Sequence, residues 1–475
     1  MSIHVSLDSP GDRTARIYVA LRQAILDGRL SRGDRVPATR DLAGQLGVAR
    51  GTVTSAYDRL VAEGFLESRT GSGTFVTEVA LTTGAEDHAR RARTGAVQPL
   101  AMWLDPGREP ERPVEGRVHD LYPGVPDNRL FPLETWRRLV SSQLRRSRLD
   151  DLTYVGRGHR RLREEVARHL GLARSVACSG EDVIVTVGAQ QAIDLVARVL
   201  VEPGTVVAVE DPGYSAAHRL FETHRAAVRG VPVDREGLVV DALPDDARLV
   251  YVTPSHQFPT GVVMSLARRA ALLRWAAHHD AAIVEDDYDS EFRFSDRPLE
   301  PIQSLDREGR VIYVGTFSKS LIPALRVGYL VAPLSLQRAL REARRVSMWE
   351  GDVVTHGALA DFIAEGHHSA HVRRASRVYG ERRSQLLAEL SRLDDVLEVV
   401  PSVAGLHVCA HFRDQTVDDR CVVAEAARHG VRVEALTPRY LEQPPVQGIV
   451  MGIGTIEAGA IPDAARRLAR ALPRS

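Results

Sequence analysis

Between Val183 and Val314, short β-branched runs alternate with helical stretches. The runs are VIVTV (Val183–Val187), VVAV (Val206–Val209), LVYV (Leu249–Val252), AAIV (Ala281–Val284) and VIYV (Val311–Val314); helical patterns such as Gln190–Leu200 and Leu266–His279 separate them. Strands this short and apolar lack a polar face, so both sides must be covered. Successive strands joined through helices pair in parallel. The run therefore predicts an α/β domain built on a mostly parallel sheet. The last hundred residues mix helix and strand and end on the amphipathic helix Ile461–Leu472, which predicts a smaller α+β part. Sheets of this kind bind ligands beyond the carboxyl ends of their strands.

The chain is 475 residues long, enough for two or three domains. Its 44% hydrophobic and 26% charged residues exclude a disordered or collagen-like chain. Cys178, Cys409 and Cys421 lie far apart without CxxC spacing. They read as free thiols in a reducing compartment, and no metal site is expected. The start of the chain lacks an apolar export stretch, and no run of about 18 apolar residues occurs. A cytoplasmic protein with no membrane partner is expected. The 62 basic residues balance 62 acidic ones, so any nucleic-acid contact must come from a local patch.

Of those 62 basic residues only Lys319 is a lysine. Arginine replaces lysine as a charge but not as an amine nucleophile. Lys319 is therefore a candidate for Schiff-base chemistry. It lies in VIYVGTFSKSLIPALRVGYL, with the hydroxyls of Thr316 and Ser318 beside it and Arg326 seven residues on. Hydroxyls and a guanidinium near a lysine suit a phosphate monoester beside an aldehyde, the combination found in pyridoxal 5'-phosphate (PLP). In AAIVEDDYDSEF, Asp286 and Tyr288 follow a strand, placed to meet a pyridine nitrogen and a ring hydroxyl. In TVGAQQAIDL, the free N–H groups of Ala189 and Gln190 open a helix and can hold a phosphate. Tyr214 in EDPGY can stack on the ring, SHQFPTG (Ser255–Gly261) forms a turn, and Tyr154 in TYVGRGHRRLR precedes a glycine and a helix.

Ahead of this domain, residues 12–77 read as a separate module. Helix Arg40–Leu46 is broken by Gly47 and followed by helix Arg50–Glu63, whose Val53, Ala56, Tyr57, Leu60 and Val61 form one apolar face. Phe65–Arg69 and Thr74–Val76 flank a Gly-rich turn and make a hairpin. This arrangement places the second helix for a DNA major groove, with the hairpin as a wing. Residues 78–117, including Arg90, Arg91 and Arg93, read as a linker, and 118–475 as the large domain. Ten arginines against eight acids in residues 1–77 give a weakly basic module, so two copies in a dimer are expected on DNA.

The segment PATRDLAGQLGVARGTVTSAYDRLVAEGFLESRTGSGTFV resembles the winged helix-turn-helix of GntR-type regulators. That resemblance implies contacts to double-stranded operator DNA at Arg40, Arg50, Thr52 and Gly71, with Arg50 reading bases. Ala49 departs from the family's usual Ser or Thr. Residues 118–475 resemble fold-type I aminotransferases, and the whole chain is similar to the MocR subfamily, which joins these two parts. The resemblance implies PLP bound by Lys319 as a Schiff base. It assigns Asp286 to the ring nitrogen, Tyr288 to the ring oxygen and Tyr214 to the ring face. Ala189, Gln190, Thr316, Ser318 and Arg326 take the phosphate. Tyr154 resembles the tyrosine that reaches the neighbouring subunit's phosphate, which implies a head-to-tail homodimer.

Two departures bear on activity. Phe258 stands where aminotransferases carry an asparagine before Pro-Thr-Gly, and Val450 where they carry the arginine that grips an amino acid's carboxylate. Arg432 and Arg439 are the candidate substitutes. The expected function is thus a transcriptional regulator, not an enzyme, that senses PLP or a PLP–amine adduct; the resemblance leaves two pathways open, vitamin B6 synthesis and amine-sensing control of GABA or taurine use. The alternative is an aminotransferase acting on an amino acid or amine. Two further readings concern side chains outside this set. His367, His368 and His371 are expected on a solvated helix face, and Asp287 and Asp289 in structural roles.

Overall fold

The computed structural model describes residues 12–77, 100–103, 119–145, 158–294 and 300–472. The chain divides into two compact units, Met1–Pro110 and Glu111–Ser475.

The first unit packs helices α1 (Arg13–Leu26), α2 (Thr39–Leu46) and α3 (Arg50–Ala62) beside a hairpin of β1 (Leu66–Arg69) and β2 (Gly73–Val76). Ile17, Leu21, Leu42, Val53, Tyr57 and Leu60 form its core. Asp12 caps α1, its side chain accepting from the Thr14 N–H at 2.9 Å. Gly47, at φ 62°, ends α2 in the left-handed conformation that a side chain resists. The α3 N-cap is Ala49, which offers no side-chain acceptor. Ala49→Ser is therefore expected to raise the melting midpoint of this unit, adding roughly 0.5–2 kcal/mol. Linker residues 78–99, with Arg90, Arg91 and Arg93, lie outside the described residues.

The second unit is built on an eight-stranded sheet. In chain order its strands are β4 (Val183–Thr186), β5 (Val206–Asp211), β6 (Ala227–Asp234), β7 (Gly237–Leu238), β8 (Leu249–Val252), β9 (Ala282–Asp287), β10 (Val311–Thr316) and β11 (Gly328–Val331). Their spatial order is β4-β11-β10-β9-β8-β5-β6-β7. Pairing is parallel from β10 through β9, β8 and β5 to β6, and antiparallel on both sides of β11 and at β7. Helix Ala189–Leu200 covers one face through Ile193 and Val196 against Val209 and Val284. On the opposite face Val185, Tyr313 and Tyr329 meet Phe362 and Leu359 of helix Val353–Ala364.

A smaller antiparallel sheet follows, ordered β12 (Leu397–Val399), β13 (His407–Phe412), β16 (Gly448–Gly452) and β15 (Glu434–Ala435). Helices His367–Leu390, Asp419–Arg428 and Ile461–Ala471 pack on it. The two-residue strands β3 (His119–Asp120) and β14 (Val431–Arg432) pair in parallel.

The five strands expected from the sequence are present, in an α/β architecture. The solvated face expected for the histidines is not. His368 is 1% and His371 8% exposed, and His367 alone lies toward the surface. The cause is periodicity: His368, His371, Ala375, Tyr379, Arg382 and Leu386 share the buried stripe of their helix. His368 sits edge-on to Phe317 and His169, with Nε2 3.3 Å from Ser320 Oγ.

Candidate cofactor site and DNA-reading elements

At the carboxyl ends of β5, β8, β9 and β10 lies a cavity of about 320 Å³. Lys319 enters it three residues beyond β10, and its Nζ donates to the Gly124 carbonyl. Burial pushes the lysine pKa down, and the carboxylates of Asp289 and Asp286 only partly oppose this. The free-amine fraction rises accordingly, which suits a nucleophile. A Cβ at Gly124 would lie 3.1 Å from Nζ, so the glycine gives the amine its space.

Asp286 faces the lysine from the end of β9. One carboxyl oxygen, Oδ2, accepts from the Tyr251 hydroxyl at 2.6 Å. The other, Oδ1, is buried without a hydrogen-bond partner. Burial raises this carboxyl to about 7, against the Tyr251 hydrogen bond. A buried oxygen with no donor is costly unless something supplies one. A protonated ring nitrogen is such a donor.

Across the cavity, β4 ends and helix Ala189–Leu200 begins at Gly188, with no side chain capping the helix. The first helical N–H groups, at Ala189 and Gln190, therefore line the cavity as an anion cradle. Arg326 stands beside them, its Nη2 donating to the Val187 carbonyl at 2.8 Å. Thr316 Oγ1 donates to Ser318 Oγ at 3.0 Å at the same rim. Gly188 adopts φ 86°, and a Cβ there would meet Arg326 at 3.3 Å. Gly188→Ala is expected to cost roughly 1–2 kcal/mol of stability through backbone strain. It should also weaken phosphate-ester binding, read by titrating PLP.

The walls are aromatic. Phe258 is edge-on to Tyr214, Tyr288 and His407, with ring centroids 6.0, 6.4 and 5.4 Å away. The Tyr288 hydroxyl donates to the His256 carbonyl at 2.9 Å. Asp289, buried behind it, lies 3.1 Å from His256 Nδ1. Arg439 lines the cavity with its guanidinium 5.2 Å over the Phe258 ring. It is ion-paired to Glu434 and donates to Ser215 Oγ at 2.6 Å. Arg432 instead stacks over Tyr122 at 4.0 Å and is not among the lining residues. Val450 is fully buried, packed with Cys409 and Leu436.

The structure thus brings Lys319, Asp286, Tyr288, Tyr214, Ala189, Gln190, Thr316, Ser318 and Arg326 to one cavity. Tyr154 lies outside the described residues. Sequence reasoning missed Tyr251, whose one signal was a phenol in an otherwise aliphatic strand, and Gly124, which gave none.

In the first unit, Arg50 opens α3 and is exposed, its Nε 3.4 Å from Thr39 Oγ1. Arg40 is exposed on α2, Thr52 is half-exposed on the first turn of α3, and Gly71 lies at the hairpin tip at φ 77°. Arg50 and Thr52 stand at the helix end that enters a major groove in this architecture.

Comparison with known proteins agrees with this two-part reading. Residues 13–76 match the family described as "Bacterial regulatory proteins, gntR family". Residues 126–443 match "Aminotransferase class I and II". The chain is 38% identical over 448 residues to the "Probable rhizopine catabolism regulatory protein MocR" of Rhizobium meliloti, covering 93% of this chain and 90% of that one. It is 34% identical over 456 residues to the "HTH-type pyridoxine biosynthesis transcriptional regulator PdxR" of Corynebacterium glutamicum, covering 96% and 95%. Among solved structures, kynurenine aminotransferase of Pyrococcus horikoshii superposes with a TM-score of 0.70 at 26% identity, over 84% of this chain and 96% of that one. Two units, each with its own family signature, and relatives that span nearly the whole chain lead to one assignment. The chain belongs to the MocR-type transcriptional regulators of the GntR family, with a winged helix-turn-helix unit joined to a fold-type I aminotransferase domain.

Proposed function

We propose that the large domain is a PLP sensor and that its occupancy sets how two DNA-reading heads of a head-to-tail dimer engage an operator. One observation carries the reading. The chain's single lysine shares a cavity with the unpartnered Asp286 Oδ1 and with an anion cradle at Ala189 and Arg326. PLP supplies an aldehyde for a primary amine, a ring nitrogen for a carboxylate and a phosphate for a helix N-terminus. Lys319 presents the amine, with its pKa depressed by burial. Asp286 holds a proton at the ring nitrogen's edge, Tyr251 fixes that carboxyl, and Arg326 with the helix N-terminus neutralises the phosphate. Tyr214 takes a ring face, Tyr288 the ring oxygen, and Thr316 and Ser318 complete the phosphate contacts. The family resemblance assigns the partner subunit's phosphate to Tyr154, which lies outside the described residues.

The regulator reading is favoured over turnover by three side chains. Phe258 cannot hydrogen-bond a ring oxygen. Val450 is apolar and packed in the core. Arg439 is already paired to Glu434, so a carboxylate gains no free bidentate clamp there. A sensor of PLP itself, or of PLP joined to an amine, needs no such clamp. Control of vitamin B6 synthesis in the cytoplasm is the matching physiological role, in keeping with the relative named for pyridoxine biosynthesis.

Gel shifts on the gene's own upstream region, with and without PLP, test this. PLP is expected to change affinity or footprint, because a ligand acts on an equilibrium only through differential binding. An unchanged footprint removes the sensor reading. Brisk multiple turnover across a panel of amino acids and amines favours the aminotransferase alternative. On the DNA side, Arg50→Ala is expected to weaken specific binding by about 1–3 kcal/mol per head. Competition with non-specific DNA separates this from a general phosphate effect.

A further inference from the structure

Asp286 and Asp287 are neighbours near the end of β9, so their side chains point to opposite faces of the sheet. Asp286 faces the cofactor cavity. Asp287 faces a second cavity, of about 310 Å³, behind the sheet. The helix Arg160–Arg174, the residues that follow β9, and the start of helix His367–Leu390 enclose this space.

Its polar lining is incomplete. His368 is 1% exposed, and its Nδ1 has no hydrogen-bond partner, while Nε2 faces Ser320 Oγ at 3.3 Å. With Nε2 accepting from that hydroxyl, Nδ1 carries the proton and is an unpartnered buried donor on a residue of the cavity wall. Glu291 lines the same space with Oε2 buried and unpartnered. Burial raises the Glu291 carboxyl to about 8, so at neutral pH it is largely protonated and a second donor.

The charges are one-sided. The Arg174 guanidinium is taken up by Asp287 at 2.6 Å. Arg293 uses Nε on the Ser290 carbonyl, at 3.0 Å. Among the described residues neither Arg293 nor the exposed Arg373 has an ion-pair partner, and both line the cavity. Two guanidiniums that form no ion pair among the described residues, with two buried donors and one unpartnered acceptor, Asp287 Oδ1, in a lining that includes Tyr313 and Tyr329, suit a ligand that is anionic at one end and can both accept and donate.

We propose that this second cavity binds a small organic anion, a carboxylate or a phosphate monoester, through Arg293, Arg373 and His368. It is distinct from the PLP reading, sharing none of that site's residues. One of its lining residues, His368, does contact Ser320, the residue after Lys319.

The test uses the full chain carrying Arg326→Ala, which disables the phosphate cradle in front. Citrate and inorganic phosphate are titrated separately by calorimetry. At least one is expected to bind saturably at one site per chain. Adding Arg293→Ala and Arg373→Ala should weaken that binding at least tenfold, about 1.4 kcal/mol. Citrate alone binding assigns a carboxylate site, and phosphate alone a phosphate-ester site. No saturable binding of either, or binding unmoved by the two substitutions, overturns the proposal. A His368→Phe chain checks the interior. It keeps both arginines and the ring's bulk, and it is expected to weaken binding with little change in melting midpoint. Undiminished binding by that folded variant also counts against the site. PLP titration of the chain with Arg326 intact is scored separately, so failure of the cofactor reading shows as absent colour whatever the anions do.

Discussion

Lys319→Ala is expected to abolish covalent capture of PLP and to weaken its binding by about a hundredfold or more, roughly 2.7 kcal/mol. The reasons are particular to this chain. Every other basic side chain is a guanidinium or an imidazole, so no neighbouring ε-amine can take over. Lys319→Arg is expected to fail equally, because a guanidinium keeps its proton and does not condense. Absorbance and mass spectrometry after borohydride reduction read the outcome. In the native chain an adduct should map to Lys319. An adduct of equal yield in the alanine chain would overturn the assignment. The fold should survive, since the substitution removes an amine whose charge burial already disfavours.

Arg174→Met is expected to cost about 3–5 kcal/mol, the usual penalty for leaving a buried charge without its partner. Both side chains of this pair are buried. Arg174 reaches Asp287 at 2.6 Å and Ser255 Oγ at 2.9 Å, and Tyr313 also donates to Asp287. Burial alone pushes the Asp287 carboxyl up, but Arg174 and Tyr313 outweigh it and hold it below its ordinary value. A depressed carboxyl contributes stability above its unfolded pKa, and that contribution is lost as pH falls. Without Arg174, burial dominates and the carboxyl rises above its unfolded value. Its penalty is then absent in acid and grows as pH rises. Both effects have the same sign, so urea midpoints of the two proteins should converge on acidification and separate toward neutrality. Arg174→Met combined with Asp287→Leu should recover most of the loss, because an apolar pair replaces a buried ion pair at little cost.

Much of this was legible in the residues because local rules govern it. The five β-branched strands announce themselves through composition, and the anion cradle through a glycine between a strand and a helix. β6 is absent from the strands expected from the sequence, and its Gly230 and Pro232 weaken the strand pattern. Its place between β5 and β7 comes from tertiary pairing. The histidine run was misread because a helix rich in arginine looks solvated, while every third or fourth residue of it turns inward. Partners far apart in the chain leave no local trace. Arg174 with Asp287 and Tyr251 with Asp286 are examples, and so are the orphaned atoms of the second cavity.

The contact between Lys319 Nζ and the Gly124 carbonyl has a mechanical consequence. An ammonium has three protons to give, whereas a nitrogen engaged in a double bond to carbon has one at most. Loading the pocket therefore takes a donor from Gly124, and that oxygen must find water or shift. Gly124 lies five residues after His119 and borders the cavity together with Tyr122 and Pro123. An aldehyde captured at that nitrogen is therefore expected to be felt first in the backbone of Tyr122, Pro123 and Gly124, which lines the same cavity.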